Sequence, residues 1–179
     1  MITFKQYITE VFDKPYKWSG GGGVAKGSIT PKNHGKVEDY IFKTSDGGTI
    51  EVTANHWWLD LNPANNFAGV DKEGHSIIIE FIKKRKSDDH RSTYDMTGEG
   101  DAMRILATVL DIIKFIIKKH EPMIIKFGAD KKQFIGNKEK KTGRAGAYAA
   151  MVKRFAGKLG YKSQVQQASD ETKWQLIKK

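Results

Sequence analysis

Between Asp101 and His120 the residues Met103, Ile105, Leu106, Val109, Leu110, Ile112, Ile113, Phe115, Ile116 and Ile117 fall on nearly every side of a helix. Arg104, Thr108, Asp111, Lys114 and Lys118 recur at helical spacing as one polar stripe. The pattern predicts a helix that other elements must cover on most of its circumference. A polar residue in every turn keeps the apolar runs well below the ~18 consecutive residues that a membrane span requires, so the helix is expected to be buried in protein. Glu121-Pro122 ends it, because proline lacks a backbone donor and biases the preceding residue away from helix. Met123 to Phe127 then reads as a buried strand, and a helix feeding an apolar strand predicts the crossover of an α/β layer.

The remaining elements follow from the same periodicities. Met1 to Phe12 carries Ile2, Phe4, Tyr7, Ile8, Val11 and Phe12 at helical spacing and predicts a short amphipathic helix. Residues 13–36 hold Pro15, Gly20 to Gly23, Gly27, Pro31 and Gly35, and read as a Gly-rich connector. The glycine run lacks the spacing and the strand-to-helix setting of a phosphate-binding loop. Val37 to Ala54 alternates as a hairpin, with Tyr40 and Phe42 on one arm, Ile50 and Val52 on the other, and Ser45-Asp46-Gly47-Gly48 at the turn. His56 to Leu61 predicts a separate aromatic strand in which Trp57 and Trp58 supply core area, and Ser76 to Phe81 the next strand. Residues 129–143 read as a lysine-rich loop and Arg144 to Leu159 as a helix stopped by Gly160; Lys162 to Gln167 and Lys173 to Lys178 read as terminal strands. The expectation is an α/β (α+β) fold, a mainly antiparallel sheet with a buried central helix, forming a single domain over residues 37–179.

The 179 residues include no cysteine, which excludes a disulfide framework and thiolate metal sites. His34, His56, His75, His90 and His120 have no paired metal-ligand spacing, so no metal site is expected. Charge changes the picture more. Residues 1–121 carry 17 basic and 17 acidic side chains, whereas residues 122–179 carry 14 and 4, so the whole net charge of +10 lies in the last third. Lys131, Lys132, Lys138, Lys140, Lys141 and Arg144 form its densest stretch and point to DNA or another polyanion, an acidic host protein included. The other reading is a solvated face that keeps the chain soluble.

The first ten residues, MITFKQYITE, resemble the N-terminal capsid-targeting peptide of internal head proteins of large tailed phages, through Thr3, Phe4, Tyr7 and Ile8-Thr9-Glu10. The resemblance implies a virion or host-cytoplasm location and recognition by the assembling capsid. It also implies cleavage by a prohead protease, read at Ile8 and Glu10, to leave a chain beginning at Val11.

Over residues 37–179 the order of elements resembles the GCN5-related N-acetyltransferase fold. In that family a Gly-bearing turn opens the central helix, and its free backbone N–H groups hold the pyrophosphate of acetyl-CoA. The matching residues are Gly98, Glu99, Gly100, Asp101 and Ala102, and Gly160-Tyr161 resembles the pair that closes the family's last helix. The pattern departs from the family at Asp95, Glu99 and Asp101, three carboxylates where a polyanionic cofactor would sit, and at Ala156, where the family carries its general-acid tyrosine. Tyr148 and Glu80 are the remaining catalytic candidates, and Asp101 also reads as a simple helix cap. The expected function is a phage virion-associated or injected protein with a non-catalytic acetyltransferase-like domain that binds DNA or an acidic partner without a cofactor. The alternative is an active acetyl-CoA-dependent N-acyltransferase.

Overall fold

The computed structural model describes residues 14–60, 73–84, 102–130, 132–135, 138–141, 149, 152–153, 155–167 and 171–179. It is α+β. A seven-stranded mixed sheet, mostly antiparallel, runs in the order β1-β2-β3-β4-β5-β9-β8. Its strands are β1 (Trp18–Gly20), β2 (Lys36–Lys43), β3 (Thr49–Leu59), β4 (Gly74–Lys84), β5 (Ile124–Asp130), β8 (Tyr161–Gln167) and β9 (Glu171–Lys178). A separate antiparallel ribbon is made by β6 (Lys132–Ile135) and β7 (Lys138–Lys141). The helix α1 (Ala102–His120) links β4 to β5, and these two strands pair in parallel. The chain groups into two compact units. Of the described residues, one unit holds 14–25, 37–54, 80–84 and 102–120, and the other holds 26–36, 55–60, 73–79 and those from 121 onward.

In the first unit α1 is buried from Ile105 to Leu110 without interruption, and again at Ile112, Ile113, Ile116 and His120. The expected cover extends to the polar stripe itself. Tyr16 donates its backbone N–H to Thr108 Oγ1 at 2.8 Å, the Trp18 indole N–H donates to Asp111 at 3.0 Å, and Arg104 donates to the Lys14 carbonyl while stacking on the Tyr16 ring. Residues 14–18, expected as connector, are therefore bound along the stripe, because Arg104, Thr108 and Asp111 each find a complementary backbone or indole group there.

The glycine run continues this role. β1 pairs with β2 in register Trp18↔Phe42 and Gly20↔Tyr40. Gly20 and Gly21 have φ of 123° and 78°, and a Cβ at either would collide with the Asp39 carbonyl or the Tyr40 ring. Only glycine permits this backbone-to-backbone approach. Trp18 packs edge-on to Tyr40 and Phe115 at 5.6 and 5.1 Å.

The hairpin forms as expected, with Tyr40, Phe42, Ile50 and Val52 all buried. Its second arm does not stop at Ala54. Burial alternates through Ile50, Val52, Ala54 and His56, so β3 is one eleven-residue strand and the separate aromatic strand merges into it. Histidine keeps the inward phase that a hydrophobicity pattern treats as a break. Trp57 falls on the outward side and is 45% exposed beside His34, so it does not supply the core area expected of it.

In the second unit β5 pairs with β9 from Ile124↔Ile177 to Asp130↔Glu171, and β9 with β8 from Tyr161↔Lys178 to Gln167↔Thr172. Phe127 and Trp174 stack at 5.8 Å. Glu121 takes a left-handed φ of 48° before Pro122, ending α1 where the sequence places the stop. The described positions 149, 152, 153 and 155 are helical, a 3-10 turn follows at Gly157–Leu159, and Gly160 closes it with φ 82°. The expected loop at residues 129–143 is replaced in part by the extension of β5 to Asp130 and by the β6–β7 ribbon.

Candidate functional site

Most of the residues singled out by sequence are not among those the structure describes. Gly98, Glu99, Gly100 and Asp101, the tyrosine Tyr148, the processing residues Ile8 and Glu10, and Lys131 and Arg144 lie outside the described residues. Ala102 is the first residue of α1. Glu80 is exposed on β4. The ribbon does collect Lys132, Lys138, Lys140 and Lys141, with Lys132 opposite Lys141, Lys140 opposite Gln133, and Lys138 opposite Ile135.

A cluster that sequence reasoning missed lies in the first unit. Along β2 the inward positions are Glu38, Tyr40 and Phe42, and Glu38 is only 1% exposed. Its Oε1 accepts from Lys119 Nζ at 2.5 Å, and its Oε2 accepts from His120 Nε2 at 2.9 Å and from the Tyr40 hydroxyl at 3.0 Å. Lys119 also donates to the Gly21 carbonyl at 2.6 Å. One carboxylate thus joins β2, the glycine turn and the last turn of α1. A signal was available: extending the Tyr40–Phe42 alternation back by two puts a carboxylate on the buried face. The basic run Lys118-Lys119-His120 at a helix C-terminus is where cations are favoured by the helix dipole.

Burial alone would push the Glu38 carboxyl up, but hydrogen bonds from Lys119, His120 and Tyr40, with the field of His120, outweigh it and hold it below 4.5. Burial likewise lowers His120 below 6.5, assisted by the neighbouring Lys119 charge and opposed by Glu38. Tyr40 is pushed far up by burial and by Glu38, which keeps the phenol a donor. Three donors converge on one carboxylate, and any proton transfer must break bonds that hold the group in place. The arrangement serves as a buried clasp.

Both shifts act in one direction with pH. His120 is lowered in the fold, so the unfolded chain takes up its proton first and stability falls as pH drops below about 6.5. Glu38 adds a second loss as pH falls from 4.5 through its folded value. Urea midpoints measured from pH 8 to 3 should therefore decline in two stages, and His120→Gln should flatten the upper stage while a loss below pH 4.5 remains. A variant profile parallel to that of the parent across the whole range would remove His120 as the cause.

The second unit has a histidine pair of its own. His56 Nδ1 and His75 Nε2 stand 2.9 Å apart with the rings stacked at 5.1 Å, so one ring donates to the other. Their nineteen-residue separation hides a contact that β3–β4 adjacency creates. An open depression in this unit is lined by Val152, Lys153, Ala156, Lys162, Val165 and Trp174 among others. No helix among the described residues is long and apolar enough to cross a membrane. No known protein family, curated protein or solved structure matches the chain.

Proposed function

We propose that this chain is a phage virion-associated or injected protein, located in the virion or the host cytoplasm, whose acetyltransferase-like domain works without catalysis and docks through its basic C-terminal third. The observation that carries this reading is the β6–β7 ribbon, which gathers four lysines into two paired strands apart from the main sheet. DNA is the partner of first choice. A two-stranded ribbon is narrow enough to enter a major groove, and lysines suit phosphates as point charges. Half of the residues in KQFI and KEKK are lysines, and phosphate contacts carry no sequence information, so affinity should depend little on DNA sequence. Gel shifts at low salt with unrelated duplexes should show binding to all of them. No shift at low salt removes DNA and leaves an acidic protein as the partner. Binding that survives replacement of Lys131, Lys132, Lys138, Lys140, Lys141 and Arg144 by serine would move the site elsewhere.

The order strand, helix, strand from β4 through α1 to β5 supports a second reading, an acetyl-CoA-dependent N-acyltransferase, because it belongs to the order of elements that carries the family resemblance. Asp95, Glu99 and Asp101 oppose it. Two unit charges about 4 Å apart repel by roughly 1 kcal/mol in water and about 4 kcal/mol at an effective dielectric of 20, enough to offset the attraction of a helix N-terminus for phosphate. Calorimetry should accordingly detect weak acetyl-CoA binding or none. Micromolar affinity that disappears on Gly100→Trp would promote the enzyme over the docking protein.

A further inference from the structure

Among the described residues β8 is the last strand at one edge of the seven-stranded sheet. Its register with β9 is unbroken over seven residues, from Tyr161 to Gln167, with no bulge. Lys162, Ser163, Gln164, Val165 and Gln166 are exposed on both faces, Val165 at 53%. Natural sheets blunt such an edge with proline, bulges, repeated charge or a covering element, since the unpaired N–H and C=O groups otherwise template another strand. Within β8 such features are confined to its first two residues, where the Ala156 carbonyl takes the Tyr161 N–H and Lys162 adds one charge.

We infer that this edge pairs antiparallel with the same edge of a second copy, about a two-fold axis at Gln164. In an antiparallel pair of identical strands the axis must pass between a residue and its own copy, and Gln164 is the central residue of β8. Only that position aligns all seven residues. It sets Gln164 against Gln164, Ser163 against Val165, Lys162 against Gln166 and Tyr161 against Gln167. No like charges meet. Each Lys162 faces a neutral amide, and the two Gln164 amides can exchange hydrogen bonds across the axis. The strand is thus complementary to itself, which argues for a second copy over a foreign strand. A partner selected for the charge of this region would need acidic residues along its edge, and β8 offers those only one lysine.

The joined edge is about 23 Å long at ~3.3 Å per residue, and an interface of strand edges falls below the ~1,200 Å² of stable complexes. The dimer is therefore weak and in exchange with monomer. Two chains of net charge +10 repel, so salt should strengthen it, the opposite of its effect on binding to DNA.

Sedimentation velocity of the full chain over about a hundredfold range of concentration tests this by mass action. The sedimentation coefficient should rise toward that of a dimer, more so at about 0.5 M salt than at about 0.1 M. Gln164→Lys and Gln164→Glu each place like charges on the axis and should raise the dissociation constant at least roughly tenfold, with circular dichroism unchanged because the residue is exposed. An equimolar mixture of the two variants should regain association, since lysine then faces glutamate. A parent chain that stays monomeric throughout would overturn the inference, as would a Gln164→Lys chain that associates like the parent or a mixture that recovers nothing.

Discussion

Replacing Glu38 by alanine should lower the melting temperature by roughly 6 to 12 °C. The residue is an ionised group nearly devoid of solvent contact, and its loss leaves Lys119, His120 and Tyr40 without the acceptor that all three share. Removing one member of a buried ion pair costs about 3 to 5 kcal/mol. Lys119 keeps 25% of its side chain exposed and can turn to water, so the lower end of about 3 kcal/mol applies. For a domain of this size each 1 kcal/mol moves the midpoint by about 2 to 4 °C. Glu38→Gln should fall between parent and alanine, because the amide oxygen still accepts a hydrogen bond but no longer forms an ion pair with the ammonium. Glu80→Ala, at an exposed position, should stay within about 0.5 kcal/mol and serves as control. Scanning calorimetry reads all three. A Glu38→Ala midpoint within a degree of the parent would show that the cluster contributes nothing net.

DNA affinity should fall about a thousandfold between 50 and 200 mM salt if all six basic residues engage phosphates. Each contact releases condensed counterions and contributes about −0.9 to the slope of log affinity against log salt. Six contacts give a slope near −5.4, which over a fourfold rise in salt is slightly more than three decades. Changing Lys140 alone to serine should make the slope shallower by about 0.9 and weaken binding to unrelated duplexes equally. A fluorescence anisotropy series in graded salt measures both. A slope near zero would mean that binding, where present, is not made through these charges.

Much of the fold was legible in the chain. α1, its stop at Pro122, the 37–54 hairpin, the strand at Met123, the Gly160 closure and the terminal strand pair all rest on local periodicity or on the backbone demands of proline and glycine. Such signals act between residues a few positions apart, and sequence displays them directly. Legibility failed where an inward position carried a polar side chain. His56 looked like the end of one strand and the start of another, and Glu38 looked like solvent-facing charge, because hydrophobic alternation does not register a buried polar group whose partner lies far along the chain.

That partner is what the tertiary structure decides. Lys119 and His120 are some eighty residues from Glu38, and Thr108 and Asp111 some ninety from Tyr16 and Trp18. Burying any of them alone would cost several kcal/mol, and each becomes tolerable only when folding supplies its counterpart. The glycine run shows the same division. Composition identified a segment able to bend, and only the approach of its backbone to Asp39 and Tyr40 explains why side chains are excluded there. Helix, strand and stop were therefore written locally. The clasp, the strap over the helix stripe and the pairing of His56 with His75 arise from contacts between distant segments, whose free energy no local pattern contains.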